Sequence, residues 1–100
     1  MKNDLDLNNV CNVIQSPSKP ELIMLVNKTN MREVTKIMIF QIMAKMLQAE
    51  TQMKGWFVRF EIQGIFSALM AEAIIDPPLY EKLTKLASKE WEDYRITLPE

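Results

Sequence analysis

The chain contains no histidine, only two glycines and a single cysteine among its 100 residues, and each scarcity removes a class of structure or chemistry. Without histidine there is no usual base for a serine or cysteine triad, no imidazole metal ligand and no side chain that titrates near neutrality. With only Gly55 and Gly64, positions needing a positive φ are scarce, which argues against a many-turned β sandwich and for helices. Cys11 has no second cysteine to pair with, so no internal disulfide is available and the chain suits a reducing compartment. No uncharged run approaches the roughly 20 residues needed to span a bilayer. The opening Met1 to Asp6 lacks the apolar centre of a signal peptide, so a cytoplasmic location is expected.

Enough apolar residue is present to build a core: 48% of the chain is hydrophobic and 25% charged, ordinary values for one globular domain. The expected organisation is a single helical domain over residues 1–100, with 1–20 a weakly ordered segment and linker and 96–100 a tail. Twelve basic and thirteen acidic residues give a net charge of −1, so no overall field attracts nucleic acid or anionic lipid.

Local signals divide the chain. Leu7, Val10 and Ile14 stand at helical spacing among asparagines that favour turns and caps, a weak first helix over Asp4 to Ile14. Pro17 and Pro20 then interrupt it. Ser18 followed by Glu21 fits a capping box and predicts a short helix over Glu21 to Lys28, although the apolar run Leu22 to Val26 reads equally as a buried strand.

Asn30 followed by Glu33 repeats the cap signal and opens a segment free of Gly and Pro, predicted as one helix from Met31 to about Met53. Arg32, Glu33 and Lys36 form its polar side at one end, and Gln41, Lys45, Gln48 and Gln52 a different polar side at the other. Ile37, Met38, Phe40, Ile42, Met43 and Met46 leave only a narrow wet strip, which predicts a central helix or one shared with a second subunit. Lys54-Gly55 reads as the helix end.

Beyond it, Val58, Ile62, Ile65, Leu69 and Ala73 trace an apolar face with Phe66 and Met70 beside them, and Arg59, Gln63 and Ser67 take the opposite side. This predicts a helix over Trp56 to Ile75, while the alternation from Val58 to Gln63 leaves a strand open for residues 56–63. Asp76-Pro77-Pro78 combines an N-cap residue with proline at the first helical position. The helix it starts, Pro77 to Arg95, carries Tyr80, Leu83, Ala87, Trp91 and Tyr94 on one face. The fold expected is therefore all-α, a small antiparallel bundle of three main helices preceded by one or two short ones.

No residue set suggests an enzyme. Cys11 lacks an activating neighbour, the isolated glycines make no phosphate loop, and Glu50, Glu61, Glu72 and Asp76 have no spacing that marks an acid-base pair or a metal site. No cofactor or metal is expected. What stands out is eight methionines, five of them (Met24, Met31, Met38, Met43 and Met46) on or just before the long helix, and the cluster Trp56, Phe57 and Phe60 beside Arg59. Thioethers and aromatics serve both gap-filling in cores and adaptable contact at interfaces.

The expected function is a non-enzymatic interaction module, such as an adaptor, chaperone or inhibitor. It would bind a protein partner or itself, as a homodimer, through Phe40, Met43, Met46, Trp56, Phe57 and Phe60. Lys82, Lys85 and Lys89 share a face and raise a nucleic-acid-binding alternative, but Glu81, Glu90, Glu92 and Asp93 interrupt it. The stretch Asp76-Pro77-Pro78-Leu79 through Tyr94-Arg95 resembles the turn and second helix of type III secretion needle and inner-rod subunits. That resemblance implies a structural subunit of a helical assembly, although the Met-rich first arm departs from the more polar pattern of those proteins.

Overall fold

The structure, a computed structural model, describes residues 19–99, and all four of the elements it places there are helices. The asparagine-rich segment Asp4 to Ile14 and Cys11 lie outside the described residues. Helix α1 is Pro20–Lys28, α2 is Glu33–Met46, α3 is Gln52–Ala71 and α4 is Pro77–Arg95. Both segments for which a strand was open, 21–27 and 56–63, are helical.

Helix α1 starts on proline at its first position, with Glu21 in the first turn and Lys28 in the last, each favourable against the helix dipole. Its N-cap residue is Lys19, with no side-chain cap, and not Ser18 as the capping-box pattern implied; the helix starts at Pro20, one residue before the predicted Glu21. Leu22, Ile23 and Val26 turn into the core. The Lys36 ammonium on α2 closes the far end by donating to the Asn27 carbonyl at 2.9 Å, with Glu33 at 3.7 Å. Lys36 was expected on a wet face and is instead almost fully buried, because a cation suits the exposed carbonyls at a helix end.

Helix α2 has Arg32 as N-cap, again without a side-chain cap, so the Asn30–Glu33 signal marked the neighbourhood and not the residue. The helix stops at Met46 and not near Met53. Neither Gly nor Pro ends it. The break at residues 47–51 is made by packing: Leu47 is buried, the Tyr94 hydroxyl donates to the Ala49 carbonyl at 2.8 Å, and Thr51 Oγ1 accepts the Lys54 amide at 3.2 Å as the N-cap of α3.

Lys54-Gly55 therefore lies inside the first turns of α3, not at a helix end. Gly55 is needed for proximity: a Cβ there would overlap Cη2 and Cζ3, the far edge of the Trp91 ring that approaches from α4. Val58, Ile62, Phe66 and Leu69 form the buried face of α3 as the spacing predicts. Ala73 falls beyond the helix, exposed and at φ 61°, where it closes a C-terminal cap. In that cap Ile74 N–H donates to Leu69 O at 2.9 Å and Ala73 N–H to Met70 O at 3.0 Å.

Helix α4 begins where the sequence placed it. The Asp76 carboxylate accepts the Leu79 amide at 2.9 Å, and Pro77 and Pro78 occupy the first turn, where a missing N–H is no loss. Leu83, Ala87 and Trp91 are buried, with Tyr80 and Tyr94 half-buried at the ends. The core joins all four helices: Leu22 and Val26 of α1, Phe40 and Met43 of α2, and Ile62 and Phe66 of α3 meet Leu83 and Trp91 of α4. Beyond α4 the Leu98 carbonyl accepts from Gln52 at 3.3 Å, so the chain end is folded back on the start of α3.

Candidate functional site

An aromatic cluster forms where α3 and α4 cross. Trp56 meets Trp91 edge-on at 5.5 Å between centroids, Trp91 meets Tyr94 at 6.3 Å, and the Arg95 guanidinium lies 5.7 Å over the Trp56 ring. Arg95 is held there by Gln52 at 2.9 Å and Glu92 at 2.8 Å. Trp56, half-buried, then passes the cluster outward to Phe60 at 5.9 Å.

Phe60 and Phe57 point away from the core. They are 64% and 67% exposed, and Met53, one turn before Phe57, is 69% exposed. Three large apolar side chains in sequence positions i, i+4 and i+7 thus stand on one helix face in water, an arrangement rarer than scattered single exposures. Lys45 and Glu61, 3.9 Å apart, mark one border of this ridge.

The inner border is polar. Arg59 is buried and donates to Gln63 at 3.1 Å and to Ser88 of α4, Gln63 donates to the Tyr80 hydroxyl, and Ser67 lies 3.4 Å from that hydroxyl. Burial pushes the Arg59 guanidinium below its ordinary value, with the Tyr80 hydroxyl acting in the opposite sense. An arginine stays charged at neutral pH even so. The sequence had set Arg59, Gln63 and Ser67 on the side facing water. They line α4 instead, because the side opposite the apolar face is shared between the polar ladder and the exposed phenylalanines.

Between ridge and ladder runs a cleft bordered by Trp56, Arg59, Phe60, Ser88, Trp91 and Glu92, about 140 Å³ in volume. Ligand pockets usually exceed about 300 Å³, so this cleft suits a single inserted side chain better than a cofactor. Among the described residues, no group of three or more His, Cys, Asp or Glu is placed to hold a metal ion, and no helix is long and apolar enough to cross a membrane.

The six residues singled out from sequence are divided by the structure. Phe40, Met43 and Met46 are wholly inside the core, with no surface to offer while the domain is folded. Trp56 is half-buried and Phe57 and Phe60 are open. The methionines divide too: Met31, Met43 and Met46 fill the core while Met24, Met38 and Met53 face water. Met53 was missed as a surface residue, although its spacing to Phe57 and Phe60 was there to be read. Lys82, Lys85 and Lys89 are exposed, with Lys89 drawn 3.5 Å from Asp93. Asp93 also accepts from Lys19 at 2.7 Å, and this hydrogen bond pulls the carboxyl below its ordinary value and raises that of Lys19. Comparison of the chain with protein-family models, curated proteins and solved structures found no match.

Proposed function

We propose that this chain is a small antiparallel bundle of helices that works as a non-enzymatic protein-protein interaction module, with the outer face of α3 as its contact surface. One observation carries the reading: Met53, Phe57 and Phe60 stand side by side in water on a rigid 20-residue helix. Aromatic side chains fixed on a helix lose little conformational freedom on binding and bury much area, which is why they recur as anchors at interfaces. The adjoining cleft, with the Arg59 guanidinium at its wall, offers a socket for one side chain of a partner's apolar helix face. The contact surface is thus narrower than the six residues suggested by sequence, since Phe40, Met43 and Met46 serve the core.

The test is capture of partners by the immobilised chain from a lysate of the organism that makes it, with nuclease present and at high salt, followed by reconstitution with the purified partner. The variant carrying Phe57→Ser and Phe60→Ser is compared with the parent. Binding by the parent that falls at least about tenfold in the variant, with an unchanged helical spectrum, supports the reading. Equal binding by both, or capture that nuclease abolishes, overturns it and favours the lysines of α4.

A further inference from the structure

The open face of α3 continues past its phenylalanines. At roughly 100° per residue, Met53, Phe57, Phe60, Gly64, Ala68 and Ala71 fall within one narrow arc of the helix. All six are exposed. The first three are large and the last three small, so the stripe changes from ridge to shallow groove at its middle.

Gly64 marks that middle and touches no side chain among the described residues. Its φ is not positive, and a Cβ added there would meet no atom of the described residues within 4 Å. Apart from proline, glycine is the least favourable residue for a helix interior. At Gly55 the Trp91 ring explains the missing side chain. At Gly64 nothing among the described residues does, and a bare backbone on an open helix face suits the close approach of another backbone.

We infer that the other backbone is α3 of a second copy, running antiparallel across a two-fold axis at Gly64. This inference rests on the reading of α3 as an interaction face and identifies its partner. About that axis Phe60 falls opposite the partner's Ala68, and Phe57 opposite the partner's Ala71. Each contact occurs twice, as an isologous interface requires. Large meets small at both phenylalanines, and the two glycines meet at the centre. A parallel pair would instead set phenylalanine against phenylalanine and leave the small halves apart.

Charge agrees with shape. Lys54 and Glu72 border the same side of the stripe at its two ends and both are exposed. The antiparallel arrangement brings Lys54 to within about one helical turn of the partner's Glu72, twice over, whereas a parallel one aligns like charges. Among the described residues the Lys54 ammonium is paired with Glu50, at 3.7 Å between two largely exposed groups, a pairing that leaves its other donors available. The stripe spans roughly 27 Å of helix, so the interface belongs to the small class below about 1,200 Å² that is typical of transient association.

Sedimentation velocity over roughly 1 to 500 µM tests the pairing across the range a small interface demands. The parent chain is expected to double in mass and to stop at the dimer. Phe60→Ala and Gly64→Gln should each weaken dimerisation by about tenfold or more. Gly64→Gln, a better helix former at a site with free space, should melt no lower than the parent, which separates lost pairing from lost folding. The decisive variant combines Phe60→Ala with Ala68→Phe, which exchanges large and small across the axis and should restore dimerisation to within about threefold of the parent. A parent that stays monomeric throughout, growth beyond the dimer, or an exchange variant no better than Phe60→Ala overturns the inference. If the monomeric parent still captures another protein through Phe57 and Phe60, self-pairing alone is overturned. If substitution at those two residues changes neither sedimentation nor capture, the interaction reading falls with it.

Discussion

The two glycines of α3 permit one substitution with opposite consequences. Gly64→Ala places a methyl in open space within a helix, so the folded monomer gains the difference in helix propensity, about 1 kcal/mol. At Gly55 the same propensity gain is opposed by overlap of the new Cβ with the far edge of the Trp91 ring, whose Cζ2 lies 3.1 Å away on the next contact. That ring cannot withdraw: it is 1% exposed and fixed by Trp56 and Tyr94. Overpacking of a rigid core side chain costs about 3 kcal/mol at the upper end of its range, so Gly55→Ala should lose about 2 kcal/mol net. The two alanine variants should then differ by about 3 kcal/mol, or roughly 12 to 24 °C in melting temperature for a domain of this size. Thermal and urea unfolding followed by far-ultraviolet circular dichroism, at protein concentrations low enough to exclude self-association, measures both. In a Trp91→Leu background, where the ring edge is gone, Gly55→Ala should no longer destabilise, and the cycle gives the coupling directly. A Gly55→Ala chain as stable as the parent, or a Gly64→Ala monomer less stable than it, would refute the reasoning.

Three further perturbations read other parts of the fold. Ala73→Gly relieves a left-handed alanine and should stabilise by about 1 kcal/mol in the same unfolding assay, with no change in spectrum. Arg59→Ala strips the guanidinium from Gln63 and Ser88 inside the α3–α4 contact and should cost about 2 kcal/mol, whereas Phe57→Ser and Phe60→Ser on the neighbouring open face should each stay within about 0.5 kcal/mol. The Lys19–Asp93 pair contributes stability only while both groups are charged. The lowered Asp93 value places its loss on the acid side, as pH falls below the ordinary aspartate value near 3.9 and on through the folded one. The raised Lys19 value places the other loss on the alkaline side, as pH rises past the ordinary lysine value and through the folded one. Asp93→Asn should flatten both limbs of a melting-temperature profile against pH, and the difference should shrink in high salt because the pair is exposed.

Legibility in the sequence followed the range of the interaction involved. Helix α4 was readable to the residue because Asp76, Pro77 and Pro78 fix its start by bonds within one turn. The break between α2 and α3 was not, since it is made at residues without Gly or Pro by the Tyr94 hydroxyl on Ala49, a contact that joins distant parts of the chain. Lys54-Gly55 misled for a related reason: a glycine that ends a helix and one that admits a neighbouring ring look alike until Trp91 is placed. In the candidate site, the composition of the proposed contact surface was visible as apolar residues on two helices. Which of them face water was settled by the covering helices, and these enclose Phe40, Met43 and Met46 while leaving Phe57 and Phe60 open.

The polar ladder from Arg59 through Gln63 to Tyr80 and Ser88 also fixes the rotational phase of α3. Rolling that helix about its own axis far enough to hide Phe57 and Phe60 would break the bonds that join it to α4, Arg59 to Ser88 and Gln63 to the Tyr80 hydroxyl, and strip partly buried polar groups of their partners. A helix held only by greasy contacts can creep by a fraction of a turn to shelter an exposed ring. This one is keyed like a shaft in a slot, and the phenylalanines stay outside because the key on the other side will not turn.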